Sequence, residues 1–263
     1  MVKFNIQNFP LSRIATIDMG SIGKLKHHIV VMLELDVTSL KEKIAIHNKT
    51  TKSKTSFTAA LIHIISKTID QHKEVASFLW NKKKQIVFQN INIAMIVEKE
   101  VDGQKVPIPL VIEKANQKHS FEILKELEVA KNQILTKEDM VLHRKSNSIE
   151  KLYTKLPGFL RRYFWYYMGN HPKYAYKKMG NVAFTSIGMM GSLRGWFIPI
   201  SVHPICFGIS SVIKKPLVRQ EKIEIREILN MTVLIDHDVV DGAPIARFLT
   251  DLTENIENIR VLN

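Results

Sequence analysis

The segment "LIDHDVVDGAPIARFL", residues 234–249, decides how this chain is read. The residues before it, "EILNMT", continue into a β-rich apolar run that packing would fix as far as Asp236. The residues after Gly242 place Ile245, Phe248, Leu249, Leu252, Ile256 and Ile259 on one helical stripe, with Pro244 suited to the first turn. A strand therefore gives way to a helix across His237–x–x–x–Asp241–Gly242. A neutral imidazole at a rigid strand end titrates near working pH and can take a proton from a thiol or hydroxyl. Gly242 is expected to allow a backbone shape closed to other residues. The plainer reading makes His237 a strand terminus and Asp241 the helix N-cap. Three residues alone do not choose between them.

Working outward, alternation in "HIVVMLELDVT" (28–38) predicts a strand, and "SLKEKIAIHN" a short helix capped by Thr38 or Ser39. Residues 56–72 set Phe57, Ala60, Leu61, Ile64, Ile65 and Ile69 at helical spacing behind a Ser56 N-cap. "QIVFQNINIAMIVE" predicts one or two strands, and the prolines of "VPIPLVIE" predict an edge strand or a bulge. "SFEILKELEVAKNQI" predicts a helix capped by Ser120. "GNVAFTSIGMMG", "VHPICFGISSVIKKP" and "EILNMTVLIDHD" predict three more strands. Strands and helices mix without strict alternation, and no repeat or Pro/Gly/Ser-rich linker divides them. The expectation is one α+β domain over residues 1–263, a mixed β-sheet flanked by helices.

Composition narrows the function. Of 263 residues, 45% are hydrophobic and 24% charged, which suits a globular chain with a sizeable core. No run reads as a membrane span, and "MVKFNIQNFPLSR" lacks the apolar run of a secretory signal, so the expected location is cytoplasmic. The single cysteine, Cys206, sits in an apolar run and reads as inertly buried. A net charge of +13 favours an anionic partner, or else is a solvated basic surface. No recognition helix or RNP-like motif accompanies it, so nucleic acid is not expected. No metal is expected either.

With these segments in place, "IDHDVVDGAPIARFL" resembles the active-site segment of the acyltransferase (E2) catalytic domains of 2-oxo acid dehydrogenase complexes, and more distantly that of chloramphenicol acetyltransferase. "FTAALIHIISKTIDQHKEVASFLW" is similar to that family's first long helix. "IVFQNINIAMIVEKEVDGQKVPIPLVIEKANQKHSFEILKELE" is similar to the strand pair and helix that follow it, and "GNVAFTSIGMMG" resembles a further strand. Ordered matches cover most of the chain except roughly residues 140–178.

The resemblance implies a chloramphenicol acetyltransferase-like fold and coenzyme A-dependent acyl transfer to a thiol or hydroxyl on a small-molecule acceptor, with acyl-CoA as substrate. It implies His237 as general base and Thr185 as hydroxyl donor to the oxyanion, with Ser186 its neighbour should the register slip by one. Asp241 then matches a carboxylate that pairs with an arginine, for which Arg13 is the candidate. It also implies a homotrimer, or an assembly of trimers, with active sites at subunit interfaces. Lys177, Lys178, Lys214 and Lys215 are candidates for the coenzyme A phosphates by charge alone.

Three departures stand out. The catalytic-type sequence begins within the first dozen or so residues, so no lipoyl domain or lipoyl attachment is expected in this chain. Asp238 follows the histidine where the family usually has an arginine; a carboxylate there would favour imidazolium if the side chains met. Finally, a basic aromatic insertion, residues 143–179, carries nine Lys or Arg against one acid, Glu150. There Leu156, Leu160, Tyr163, Phe164 and Tyr167 are expected on one helical face, with Arg161 and Arg162 off it. That face could cover the channel mouth, touch an acidic membrane peripherally, or pack on the trimer. The rival function is a catalytically inactive scaffold of the same fold that binds a membrane or a protein.

Overall fold

The computed structural model describes residues 2–7, 9, 13–101, 104–132, 153, 155–188 and 193–259, with the side chains of 99–107 left aside. The helices are α1 (Arg13–Gly23), α2 (Thr38–Thr50), α3 (Phe57–Gln71), α4 (Ser120–Asn132), α5 (Gly158–Asn170), α6 (Pro172–Met179) and α7 (Gly242–Asn258). The strands are β1 (His28–Asp36), β2 (Phe78–Trp80), β3 (Lys84–Ile86), β4 (Ile93–Val101), β5 (Gln104–Ile112), β6 (Val182–Ser186), β7 (Ile205–Arg219) and β8 (Lys222–Asp236).

Six strands form one sheet in the order β1-β8-β7-β6-β4-β5, and β2 and β3 form a separate pair. β6 runs parallel to both its neighbours and every other pairing is antiparallel, so the sheet is mixed. β5, with Pro107 and Pro109, lies at the edge, where a missing backbone donor costs no ladder bond. One face of the sheet carries Phe184, Phe207 and Val233, which join Ile64 and Ile65 of α3 and Phe248 and Leu252 of α7 in the main core. Asn255 of α7 donates to Thr68 of α3 at 3.0 Å, satisfying two buried polar groups where the helices meet.

The other face is crossed by residues 193–201. Trp196 Nε1 donates to the Leu33 carbonyl at 3.0 Å, and a side chain at Gly208 would meet Pro199 and Phe197 at 3.2 and 3.3 Å. β6 is threaded into the sheet at Gly180, whose φ of +74° and place against Asn92 O, 2.3 Å from any added Cβ, admit only glycine. Beyond the core, β7 and β8 continue as a hairpin turned by Gln220 and Glu221, both at positive φ.

Ser56 caps α3 as its sequence predicts, accepting from Ala59 N–H at 3.2 Å. Two other caps differ from expectation. Neither Thr38 nor Ser39 caps α2; Thr38 lies inside the helix and donates its N–H and hydroxyl back to Asp36, at 3.0 and 2.7 Å. At α4 the start is set by Glu122, which reaches back to the His119 N–H at 2.7 Å, so Ser120 is already helical. α5 keeps the expected residues on one face, with Arg161 and Arg162 off it, and that face is the outer one. Arg161, Trp165 and Met168 turn inward, while Leu160, Tyr163, Phe164 and Tyr167 are exposed. The inward side is anchored by a charge: Arg161 Nε donates to Asp18 of α1 at 2.8 Å, a part-buried pair. Residues 143–152 and 154 of the basic segment lie outside the described residues, as do 189–192.

Candidate active site

β8 ends between β1 and β7: Ile235 is its last residue paired with β7, and Asp236, 1% exposed, its last paired with β1. A buried carboxylate must be paired, and Lys26 supplies the partner, its Nζ 2.6 Å from Asp236 Oδ2. Asp236 also organises the turn. Its N–H donates to Pro204 O at 2.9 Å, and its carbonyl accepts from Val239 and Val240 at 3.2 and 3.3 Å. His237 is thus carried out of the sheet on a turn closed at both ends, its own N–H donating to His27 O at 3.0 Å. The imidazole is exposed. Its Nδ1 lies 3.1 Å from Val240 O, and because a carbonyl only accepts, Nδ1 carries the proton. In the neutral ring the lone pair is then on Nε2.

Asp238 does not face that ring. Both its oxygens lie near His27 Nδ1, at 2.9 and 3.0 Å. Asp241 is the N-cap residue of α7 by backbone, with an exposed carboxylate that makes no cap hydrogen bond. Arg13 is also exposed, and among the described residues no ion pair joins it to Asp241. Gly242 departs from expectation: its φ is not positive and an added Cβ would meet nothing within 4 Å, so neither conformation nor space requires glycine there.

Thr185 is half-buried on β6, opposite Gly208 of β7, which is opposite Thr232 of β8. Val182 and Phe184 fill the core, so Thr185 points to the other face. Thr232, in the same cross-sheet row, is buried with no partner for its hydroxyl among the described residues. Past Ser186 the chain hugs a bulge in β7, with Ile187 N–H donating to Ile209 O at 3.1 Å. Gly188 is needed there, since an added Cβ would lie 2.5 Å from Ser210 O.

The register separates the two catalytic candidates. Thr185 is level with Thr232, five residues before His237 on β8 and two strands away. At about 3.3 Å per residue and 4.8 Å per strand, they lie on the order of 15–20 Å apart within one chain. The lysines do not form one cluster either. Lys177 and Lys178 are exposed on α6, just before the Val182 end of β6, with Lys178 over the Tyr174 ring at 5.8 Å. Lys214 lies nine residues along β7 from the Ile205 that pairs Val182, a span of about 30 Å. Lys215 is engaged with Glu34 at 2.6 Å and with the Trp196 ring at 5.7 Å.

Beneath the turn, His28 Nε2 donates to His203 O at 3.0 Å, and buried His203 donates from Nε2 to Met179 O at 2.9 Å. Burial lowers the pKa of His28, and that of His203 to about 4. Cys206 is buried as expected, and burial raises its thiol to about 12, which leaves no thiolate to react. Among the described residues no group of three or more His, Cys, Asp or Glu side chains could hold a metal ion, and no helix is long and apolar enough to cross a membrane.

The sequence profile of the 2-oxoacid dehydrogenases acyltransferase (catalytic domain) family matches residues 20–141 and 173–263. The chain belongs to that family. It is 24% identical over 243 residues, 89% of its length, to the dihydrolipoyllysine-residue acetyltransferase component of the pyruvate dehydrogenase complex of Buchnera aphidicola. The chain spans about half of that relative, 50% of its length. Its fold is that of the Azotobacter vinelandii dihydrolipoamide acetyltransferase, with a TM-score of 0.69 at 17% identity over 98% of this chain and 94% of that one. That structure accompanied an investigation of a serine, a histidine and an asparagine four positions after the histidine in the catalytic mechanism of that enzyme. Chloramphenicol acetyltransferase shares the fold at a TM-score of 0.53 and 9% identity, over 96% of this chain and 98% of that one. The mixed sheet flanked by helices is therefore the architecture of this superfamily, as its sequence motifs led us to expect.

Lys26 and Asp236, the pair beneath the turn that carries His237, are not marked by any sequence motif. The available signal was a carboxylate at the end of a strand apolar enough to be buried, which demands a cation. Nothing in the sequence said which lysine would supply it.

Proposed function

We propose that this chain transfers an acyl group from acyl-CoA to a thiol or hydroxyl acceptor, with His237 as general base. The observation that carries the reading is the Nδ1 contact with Val240 O in a member of this acyltransferase family, since it presents Nε2 as the basic nitrogen. In the reaction, Nε2 takes the acceptor's proton as its sulfur or oxygen attacks the thioester carbonyl. The tetrahedral oxyanion collapses, the C–S bond to coenzyme A breaks, and the departing thiolate recovers the proton from Nε2. Acyl-CoA and acceptor thus become acylated acceptor and free coenzyme A.

A hydroxyl donor to the oxyanion acts where charge appears only in the transition state, and Thr185, with Ser186 beside it, is the candidate. Because one chain holds Thr185 on the order of 15–20 Å from His237, the site is completed by a second copy, in a homotrimer with active sites between subunits. Arg13 and Asp241, both exposed, are the candidate ion pair that would hold the loop, and Asp241 shares the four-residue spacing from histidine of the asparagine studied in the Azotobacter enzyme. Lys177 and Lys178 from one copy, or Lys214 from another, are the cations for coenzyme A phosphates.

The test is chromatographic measurement of coenzyme A released from acetyl-CoA with a panel of small thiol and alcohol acceptors. His237→Ala should lower the rate about 10²- to 10⁴-fold. Equal rates for wild type and variant would remove His237 from the chemistry.

A further inference from the structure

All six tyrosines of the chain fall between positions 153 and 176, largely within the stretch, residues 142–172, that the family profile does not match. α5 occupies this stretch and is locked to the body by its inward side. Arg161 pairs with Asp18, and Trp165 Nε1 donates at 2.8 Å to the Tyr153 hydroxyl, which itself donates to Asp18 at 2.8 Å. The outward side carries Phe159, Leu160, Tyr163, Phe164, Tyr166 and Tyr167, each 40% exposed or more. At about 100° per residue these six span roughly 160° of the helix without interruption by a charge. A contiguous apolar face of this breadth is not expected to stay in water.

Its surroundings select the partner. Lys155, Arg162, Lys173, Lys177 and Lys178 are exposed on and around α5 and α6, and residues 151–180 contain no Asp or Glu. The aromatic side chains stand out from a convex helix rather than lining a groove, so they fit a soft surface better than a shaped protein pocket. Single-stranded nucleic acid would require cations interleaved with the stacking rings, whereas here the cations flank the aromatic arc. Aromatic rings with polar tips, bordered by lysine and arginine, suit the headgroup layer of an acidic bilayer.

We propose that α5 and α6 form a peripheral docking face for membranes rich in anionic phospholipid. The aromatic arc lies at headgroup level, and Lys155, Arg162 and Lys173 meet the lipid phosphates and carboxylates. Arg161, committed to Asp18, takes no part. The inference does not depend on acyl transfer, and its test does not read activity.

Flotation of the full chain with phosphatidylcholine vesicles, with and without phosphatidylserine, tests it. The protein should float only with the anionic vesicles, and roughly 0.5 M salt should weaken this about tenfold by screening. Tyr163→Ser/Tyr166→Ser and Arg162→Glu/Lys173→Glu should each lower binding about tenfold with unchanged thermal unfolding, since all four side chains are exposed. In the unaltered protein, vesicles should slow amide exchange within residues 158–178. Absence of flotation, equal flotation with both vesicle types, variants that bind like wild type, or protection confined to other elements would each overturn the proposal. A tyrosine variant that changes oligomeric mass, in a protein that does not float, would assign the face to contacts between copies instead.

Discussion

His237 Nδ1 lies 3.1 Å from the carbonyl oxygen of Val240, three residues on in the same turn. The turn therefore selects the tautomer of its own histidine, because only a protonated Nδ1 can use that oxygen. Nitrogen-15 NMR with the His237 ring in its neutral form should show its Nδ1 protonated and its Nε2 bare. The opposite tautomer would show that the contact does not govern the ring.

The separation of His237 from Thr185 leads to a complementation experiment. His237→Ala and Thr185→Ala chains should each be impaired, the second by about 10²-fold as an oxyanion donor. Unfolded together and refolded as mixed assemblies, they should recover about a quarter of wild-type activity, from random pairing of intact halves across interfaces. No recovery in mixed assemblies of native size would mean that the two residues do not share an intersubunit site.

The Lys26–Asp236 pair should behave as a buried ion pair. Lys26→Met leaves a carboxylate that is 1% exposed in side-chain terms without its cation, which should cost roughly 3 kcal/mol in urea unfolding. Adding Asp236→Asn to it should restore much of that stability while the turn, and with it activity, stays perturbed. Unchanged stability in the single variant would show the pair to be dispensable.

His203 makes stability depend on pH. Burial depresses its folded pKa to about 4, against 6.5 ordinarily, so between these values the unfolded chain binds the extra proton. Its contribution is therefore present above about pH 6.5 and lost as pH falls toward 4, on the order of 3 kcal/mol in all. His203→Gln keeps an amide donor for Met179 O without a titrating group. It should flatten this part of the stability–pH curve measured by denaturant unfolding, and an equally steep curve would place the acid sensitivity elsewhere.

Gly188 should not tolerate a methyl group. With backbone oxygen of Ser210 2.5 Å from the new Cβ, Gly188→Ala must push β6 and β7 apart beside Thr185. A loss of about 1–3 kcal/mol is expected, together with lowered activity, whereas Gly242→Ala should be nearly silent.

What could be read along the chain was whatever depends on spacing. Apolar period located α3, α7 and the central strands; prolines put β5 at an edge; and the order of motifs led to the family and its fold. These features arise from neighbours in sequence, where a side chain's face follows from its position. The tertiary structure decided what depends on residues far apart. It gave Asp236 its partner Lys26, turned Asp238 to His27, and gave the His237 ring a carbonyl that orients it. It also fixed which side of α5 faces inward, through Arg161 and Asp18, and left the aromatic stripe on the outer side. In each case a single charge or hydrogen bond between distant residues decided the arrangement, because leaving a buried polar group unpaired is costly.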